Sequence, residues 1–455
     1  MKLGFDLDDT IVGIATPTGG AIAVIRISGS RATDILGQMF TCQKFDSHRV
    51  YYGWIHDNSV RIDEVLSIIM LAPRSFTRQD MVEIHCHGSA AAVSRIFDLA
   101  VSRGARAARP GEFSARAFLN GRIDLSQAEA IMDMVNAGSD RALREGAQQL
   151  SGQLGRHIRA LCARLLAMLA RIEMAIDYPE YEEADLATNE LEPALAAVLE
   201  DVNILAKTAR QGQLIRDGVR VALIGLPNSG KSSLLNALLM HDRAIVTEIP
   251  GTTRDVLTEH MRIADISICI SDTAGIRKSE DIIEQIGIDK SLKTAADADL
   301  VVLVIDGATP ISPADMDSLT ANFNNLLIAI NKCDLPQKLD KNILTNYAPP
   351  AQIIEISAKN HIGLTNLCEK IANIFFGDTP TQDSTPTITN ARHAAQINAA
   401  QAALTHAQAA LAESQCLDLI AIDLSTAHHH LSEITGESAT ETLLDKIFAD
   451  FCLGK

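Results

Sequence analysis

The stretch VRVALIGLPNSGKSS, residues 219–233, decides the fold of the middle of this chain. An apolar run leads into the pattern GxxxxGK[ST] between Gly225 and Ser232, and a helix-forming run follows it. This order of strand, glycine-rich loop and helix is the context that a phosphate-binding loop requires. The loop N–H groups would cradle phosphates, Lys231 would reach the β- and γ-phosphate oxygens, and Ser232 would hold magnesium.

From Gly218 to Gly377, apolar runs of the length of buried parallel strands alternate with helical stretches. This pattern predicts a doubly wound α/β domain over residues 217–377, of the Ras-like P-loop type. The runs that predict its strands are VRVALIG, ISICISD, ADLVVLVID, NLLIAINK and AQIIEIS.

Four further motifs follow the loop in the order that a GTPase requires: PGTTRD from Pro250, DTAG from Asp272, NKCD from Asn331 and SAK from Ser357. Asp334 can accept two hydrogen bonds from the N1–H and exocyclic amine of guanine, which adenine cannot supply. The motifs therefore predict a GTP site. The nucleotide-binding residues that we expect are Asn228, Ser229, Gly230, Lys231, Ser232, Ser233, Thr247, Glu248, Ile249, Pro250, Gly251, Thr252, Thr253, Asp272, Thr273, Ala274, Gly275, Asn331, Lys332, Asp334, Ser357, Ala358 and Lys359.

The source of the hydrolytic step is less evident than the nucleotide site. Ser232 and Thr253 are expected to hold magnesium, and Lys231 to act on the phosphates. Ile276 follows DTAG directly, where the Ras-like pattern has a glutamine that orients the attacking water. An apolar side chain cannot do this, and the sequence alone marks no arginine as a finger. Hydrolysis therefore needs another positive charge and another group that holds the water.

The segments on both sides of the α/β domain have different patterns. Residues 1–122 mix β-branched runs such as AIAVIRIS with helical stretches, which predicts an α+β domain. Residues 123–216 and 378–455 are helical. Leu161, Leu165, Met168, Leu169, Ile172 and Ile176 recur at three- or four-residue spacing, as one buried helix face requires. We expect one all-α domain interrupted by the inserted α/β domain, because the ends of a compact domain often lie close together.

Composition limits the class of protein. The 455 residues carry a net charge of −17, which argues against indiscriminate nucleic-acid binding. Eight cysteines without a CxxC pair indicate reduced thiols, so zinc is not expected. The acidic N-terminus and the lack of a long apolar run predict a soluble cytoplasmic protein with no membrane segment. The three histidines from His428 to His430 are expected on a helix surface and not as metal ligands.

One local basic patch could still contact phosphates. The segment VSRGARAARPGEFSARAFLNGR contains five arginines against one glutamate, Glu112. We expect this region to contact nucleic-acid phosphates, with a plain solvated face as the alternative. Its arginines are Arg103, Arg106, Arg109, Arg116 and Arg122.

Four motifs outside the nucleotide site indicate which kind of GTPase this chain is. They are PGEFSARAFLNGRIDLSQAEAI at 110–131, MVEIHCHG at 81–88, LSEITGE at 431–437 and FCLGK at 451–455. With these motifs the chain resembles the tRNA modification GTPase MnmE (TrmE) family over nearly all of its length. The resemblance implies a homodimer with a folate-binding N-terminal domain that also dimerises, a helical domain and an inserted G domain.

The same resemblance implies a reaction and partners. Family members work with the flavin-dependent protein MnmG (GidA), in a heterotetramer or larger complex. They place an aminomethyl or carboxymethylaminomethyl group on carbon 5 of the wobble uridine of certain tRNAs. The tRNA is then expected to engage the region from Arg103 to Arg122 only in company with the partner protein, because the chain alone is so acidic. A reduced folate, 5-formyl- or 5,10-methylenetetrahydrofolate, is the expected cofactor, at the positions Arg26, Glu83, Arg122 and Lys455. Family members usually have lysine where Arg122 stands, and Cys452 is expected to have a role in the C-terminal motif.

The resemblance also answers the question of hydrolysis. It implies that potassium stands where other GTPases have an arginine finger, with G domains of a dimer meeting to order the loop around it. The expected potassium ligands are the Asn228 side chain and oxygens of Thr247, Ile249 and Thr252. The expected water-holding residue is Glu284, acting through an intervening water.

Two other readings share the nucleotide motifs. A ribosome-assembly GTPase would carry an RNA-binding module, often with a GXXG loop of KH type, but no such loop follows Gly377. A mechanical or signalling switch would use the folate-like domain only for dimerisation. Folate binding by the N-terminal domain separates these readings from the tRNA modification enzyme.

Overall fold

The structure is a computed structural model that describes residues 7–178, 182–241, 258–263, 265–272, 298–320, 323, 325–377, 386–413, 416–451 and 454. The chain forms two compact units. Unit 1 comprises Met1–Val135, Ala147–Val202 and Ala395–Lys455, and unit 2 comprises Asn136–Gly146 and Asn203–Ala394. Unit 2 is thus inserted into the chain of unit 1, as the sequence pattern predicts. The domain boundaries at 122, 216 and 377 remain predictions.

The N-terminal part of unit 1 is a six-stranded sheet with order β3-β4-β5-β2-β1-β6. All neighbouring pairs are antiparallel except β1 and β6, which are parallel. Buried β-branched residues alternate along β2 and β5, and the apolar faces of α1 and α2 pack on that side. The elements are β1 Ile11–Ile14, β2 Ile22–Ser28, α1 Ala32–Met39, β3 Arg49–Asp57, β4 Val60–Met70, β5 Met81–His87, α2 Ala90–Ser102 and β6 Arg106–Ala107.

Five helices follow: α3 Glu112–Leu119, α4 Leu125–Val135, α5 Asp140–Leu150, α6 Gln153–Asp177 and α7 Glu182–Asp217. Helix α6 buries Leu161, Leu165, Met168 and Ile172, as the spacing predicts. Ile176 was expected on the same face but is 39% exposed. Ala175 takes the inward position instead, because 3.6 residues per turn move the buried stripe around a long helix.

Unit 2 contains a second six-stranded sheet, with order β12-β11-β10-β7-β9-β8. Its strands are parallel except β8, which pairs antiparallel with β9 at one edge. Strands β10 and β11 are buried throughout their central residues, and apolar clusters cover both faces of the sheet. The elements are β7 Val219–Ile224, α8 Lys231–His241, β8 Thr258–Ile263, β9 Ile266–Asp272, β10 Leu300–Asp306, α9 Pro313–Thr320, β11 Leu326–Asn331, α10 Lys341–Leu344, a 3-10 turn Pro350–Gln352, β12 Ile353–Glu355 and α11 Leu364–Phe376.

Three helices complete the chain: α12 Ala391–Ala412, α13 Leu417–Thr435 and α14 Glu441–Ala449. Helix α13 packs along α6 in unit 1. Arg159 of α6 joins the two by donating to Glu437 just beyond α13 (2.9 Å) and to Asp124 (2.8 Å). Within the described residues, no helix has both the length and the apolar content that crossing a bilayer would require.

Candidate functional site

The glycine-rich loop Gly225–Ser232 joins the end of β7 to the start of α8. Gly225 (φ 148°) and Gly230 (φ 95°) lie in backbone conformations that favour glycine. A Cβ on Gly225 would lie 2.2 Å from the Val304 carbonyl oxygen, and a Cβ on Gly230 would lie 2.2 Å from the Asn331 side-chain nitrogen. The glycines therefore let the loop approach the ends of β10 and β11 more closely than any other residue would.

Asn331 connects three of the predicted motifs. Its side chain is almost fully buried, and its Nδ2 donates to the Ser229 carbonyl oxygen of the glycine-rich loop (2.9 Å). Its Oδ1 accepts from the backbone N–H of Ala358 in the SAK motif (3.0 Å). One buried amide thus fixes the phosphate loop relative to both loops predicted to recognise guanine.

The side chains predicted to act on phosphates lie at the start of α8. Lys231 Nζ donates to the carbonyl oxygens of Gly225 (2.9 Å) and Leu226 (3.0 Å), so it lies across the loop. The Ser232 side chain is exposed on the first helical turn, as a magnesium ligand must be. Ser229 Oγ is buried and has no hydrogen-bond partner among the described residues.

The predicted guanine contact has the required charge state. The Asp334 carboxylate is exposed and accepts a hydrogen bond from the Ser357 hydroxyl. That bond, with the nearby Lys359 and Lys332 ammonium groups, holds the pKa of Asp334 below its ordinary value of 3.8. Asp334 is therefore an anion at neutral pH and can accept both guanine hydrogen bonds.

Several predicted residues lie outside the described part of the chain. Asp272 ends β9, and its side chain is not described. The second magnesium contact, most of the potassium shell and the water-holding residue accordingly stay predictions. The residues concerned are Thr247, Glu248, Ile249, Pro250, Gly251, Thr252, Thr253, Thr273, Ala274, Gly275, Glu284, Cys452 and Lys455.

The predicted folate residues Arg26 and Glu83 face each other on neighbouring strands. They are paired in register on β2 and β5, and Arg26 Nε donates to Glu83 Oε1 (2.7 Å). The pair is partly exposed, with 27% and 16% of the two side chains accessible. His85 Nε2 lies 3.5 Å from Glu83 Oε2 without hydrogen-bond geometry. The structure thus brings together two of the four predicted folate positions.

The C-terminus reaches the same pair. Arg26 also donates to the carbonyl oxygen of Gly454 (3.2 Å), 428 residues away in sequence. Gly454 has φ 87°, and a Cβ there would lie 2.2 Å from the Ile14 carbonyl oxygen of β1. Arg122 is exposed beyond α3, and none of the contacts among the described residues joins it to Arg26 or Glu83.

The predicted basic patch is in part an internal ion-pair network, and its interpretation as a phosphate-binding surface is wrong for the fully buried Arg116. Arg116 is fully buried with Glu112 (3.0 Å) and also bonds Asp9. Arg106 pairs with the same two carboxylates, at 2.6 Å from Asp9 and 2.5 Å from Glu112. Arg103 lies 3.5 Å from a carboxylate on β3. Sequence reasoning missed Asp9 because it lies about a hundred residues before its partners.

The histidine run lies on α13, where His430 bonds Gln396 (2.7 Å). Among the described residues no group of three or more His, Cys, Asp or Glu side chains could hold a metal ion. The seven cysteines that the structure describes are free thiols. The position of the histidine run on a helix agrees with the sequence-based expectation.

Comparison with known proteins gives matches along nearly the whole chain. Residues 10–122 match the family described as GTP-binding protein TrmE N-terminus, and residues 125–452 match the MnmE helical domain. The tRNA modification GTPase MnmE of Lactiplantibacillus plantarum is 42% identical over 456 residues, 98% of each chain. That of Ligilactobacillus salivarius is 43% identical over 455 residues, again 98% of each chain.

Among solved structures, the G domain of the T. maritima FeoB iron transporter is 31% identical. It covers 34% of this chain and 97% of its own, with a TM-score of 0.26. The assignment depends instead on the two family matches and on relatives that share 98% of their length with this chain. This chain, a GTP hydrolase that acts in tRNA modification, therefore belongs to the MnmE (TrmE) family.

Proposed function

We propose that this GTPase helps to add an aminomethyl or carboxymethylaminomethyl group to carbon 5 of the wobble uridine of certain tRNAs. It would act in the cytoplasm as a homodimer, in a heterotetramer or larger complex with the flavin-dependent protein MnmG (GidA). The one-carbon donor would be 5-formyl- or 5,10-methylenetetrahydrofolate. The observation that carries this proposal is the pair formed by Arg26 and Glu83 beside the C-terminal main chain.

The chemistry of that pair fits a reduced folate. A pterin ring presents N–H donors, which a carboxylate such as Glu83 accepts, and the glutamate tail of folate is an anion that arginine binds. Because both side chains are partly exposed on the sheet, each can exchange its partner for a ligand group. Arg122 and Lys455 would supply further cations. When bound, the folate would supply the one-carbon unit, and these residues would hold and orient it.

The G domain would hydrolyse GTP by positioning and electrostatics. The glycine-rich loop and Asn331 hold the phosphate site, and Asp334 selects guanine. Ser232 and Thr253 would hold magnesium, which supplies charge neutralisation. The exposed amide of Asn228 suits a potassium ligand, with oxygens of Thr247, Ile249 and Thr252 completing the shell.

Glu284 is proposed to hold the attacking water through a second water, because Ile276 cannot. Glu284→Ala should then bind GTP normally and hydrolyse it slowly. Single-turnover hydrolysis measured together with nucleotide affinity separates these two effects. A fully active Glu284→Ala variant would remove Glu284 from the mechanism.

Nucleoside analysis of bulk tRNA tests the proposal as a whole. Cells that lack this protein should lose the carbon-5 modification of the wobble uridine, and the wild-type chain should restore it. Complementation with Glu83→Ala should fail if folate is the donor, while Glu64→Ala, a change on the neighbouring strand β4, should restore it. Normal modification in the deletion strain would refute the assignment.

A further inference from the structure

Asp306, the last residue of β10, carries a carboxylate that the proposed mechanism does not use. Its side chain is only 15% exposed, and it accepts from Lys332 Nζ at 2.6 Å. Its other oxygen accepts from the backbone N–H of Ala308 (2.9 Å). The carboxylate is therefore anchored on one side by the main chain and on the other by an ammonium group.

The same ammonium group reaches the phosphate loop. Lys332 Nζ donates to the carbonyl oxygen of Asn228 at 3.0 Å, in addition to the Asp306 carboxylate. A charge-assisted bond of this kind is stronger and more directional than a neutral one. Asp306 thus sets the place of the Lys332 ammonium, which in turn binds the backbone of Asn228.

Lys332 and Asn228, whose carbonyl oxygen accepts from the Lys332 ammonium, both have unusual backbone conformations. Asn228 has φ 59° and Lys332 has φ 64°, in the left-handed region that residues other than glycine rarely adopt. Such conformations persist only where the surrounding contacts hold them. The ammonium group of Lys332 is one such contact, since it links the phosphate loop to the loop after β11.

The loop that carries Asp306 is itself held in place. The Gly307 N–H donates to the Asn331 carbonyl oxygen (2.9 Å), and the Lys338 N–H donates to the Gly307 carbonyl oxygen (2.8 Å). Gln337 Nε2 donates to the backbone carbonyl oxygen of Lys332 (3.0 Å). Asp306 therefore needs no rearrangement to act on Lys332.

We propose that Asp306 is a positioning residue for GTP hydrolysis, which acts through Lys332 on the backbone of Asn228. It keeps the phosphate loop in the conformation that binds nucleotide. It also keeps the Asn228 side chain in place to bind the potassium ion. This effect on potassium binding rests on the proposed function. Asp306 touches neither nucleotide nor ion in this role.

The variant Asp306→Asn tests this, because the amide keeps the size and its oxygen keeps the Ala308 contact, while the amide NH2 group, which cannot accept, replaces the oxygen that binds Lys332. Asp299→Asn is the matched control. Asp299 directly precedes the first residue of β10, and its carboxylate accepts from the backbone N–H and the Nε of Arg220. GDP affinity and GTP hydrolysis are measured on the full chain over a range of potassium concentrations at constant ionic strength. Thermal unfolding shows whether each variant is folded. The variant Asp306→Glu shows whether a carboxylate at this position restores nucleotide and potassium binding.

Asp306→Asn should weaken GDP binding about three- to tenfold, which is part of the contribution of one charge-assisted bond, because Lys332 keeps its bond to the Asn228 carbonyl oxygen. It should raise the half-saturating potassium concentration by a similar factor and leave kcat at saturating potassium within about twofold. Asp306→Glu should recover part of both effects, and Asp299→Asn should show neither.

Unchanged GDP affinity and unchanged potassium half-saturation in Asp306→Asn would overturn the inference. A fall in kcat and thermal stability with potassium half-saturation unchanged would also overturn it, since that pattern describes a purely structural residue. If potassium does not activate the wild type, the proposed potassium mechanism fails, and GDP affinity alone then decides the role of Asp306.

Discussion

Replacing Asn331 by alanine should disconnect the phosphate loop from the guanine-recognition loops. The change removes the donor to the Ser229 carbonyl oxygen (2.9 Å) and the acceptor for the Ala358 N–H (3.0 Å). Each buried polar group left without a partner costs about 1–3 kcal/mol, so the two together cost about 2–6 kcal/mol. If about 2 kcal/mol of this falls on nucleotide binding, GDP affinity should drop about 30-fold.

Equilibrium titration with a fluorescent GDP measures the affinity, and urea unfolding measures the remainder as lost stability. Asn325→Ala is the matched control, because Asn325 directly precedes β11 and Asn331 ends it. The Asn325 side chain donates to the Asp299 carbonyl oxygen (3.1 Å) and makes no other hydrogen bond within the described part of the chain. Removing Asn325 should lower stability modestly and leave GDP affinity near the wild-type value.

Asn331→Asp sharpens the test because it keeps the shape and the acceptor for Ala358. It also sets a carboxylate oxygen against the Ser229 carbonyl oxygen, where the amide donated. Repulsion should then make this variant bind GDP no better than Asn331→Ala. Wild-type GDP affinity in either variant would show that the connection through Asn331 does not hold the nucleotide site.

Three further results are expected. Burial alone would raise the pKa of Glu112, but bonds from Arg106 and the Arg109 N–H, with the Arg116 charge, hold it below 4.5. The stability that the ionised Glu112 contributes is therefore complete above about pH 4.5 and is lost as the pH falls through the lowered pKa. Glu112→Gln should lower the free energy of unfolding by about 3 kcal/mol at pH 7 and by little in acid. Urea unfolding, monitored by the fluorescence of the single tryptophan, measures this difference. Glu83→Ala should weaken folate binding by about 1–3 kcal/mol in calorimetry, and equal affinities would contradict its role. GTP hydrolysis should be faster in potassium than in sodium at equal ionic strength, and Asn228→Ala should abolish the difference; equal rates in the wild type would rule out the cation mechanism.

The sequence alone was sufficient for the features that depend on local spacing. The glycine-rich loop between Val219 and Ser233 predicts a strand, a turn and a helix, because only glycine fits where backbones approach this closely. The five apolar runs predict the parallel strands since buried strands need continuous apolar residues. The order of the motifs and the flanking helical segments then predict an inserted GTPase domain.

Tertiary structure alone decided which charged residues meet. Five arginines in one segment suggest a basic surface, yet the fold buries Arg116 completely and places Asp9 beside it, which no local pattern indicates. Arg26 likewise meets Gly454 only because the C-terminus returns to β1. Hydrophobic periodicity predicts the buried face of α6 but not the edges of that face. Ile176 was expected to be buried and is exposed, whereas its neighbour Ala175 is buried. Ion pairs between distant residues follow from how the chain packs, and packing depends on the whole sequence at once.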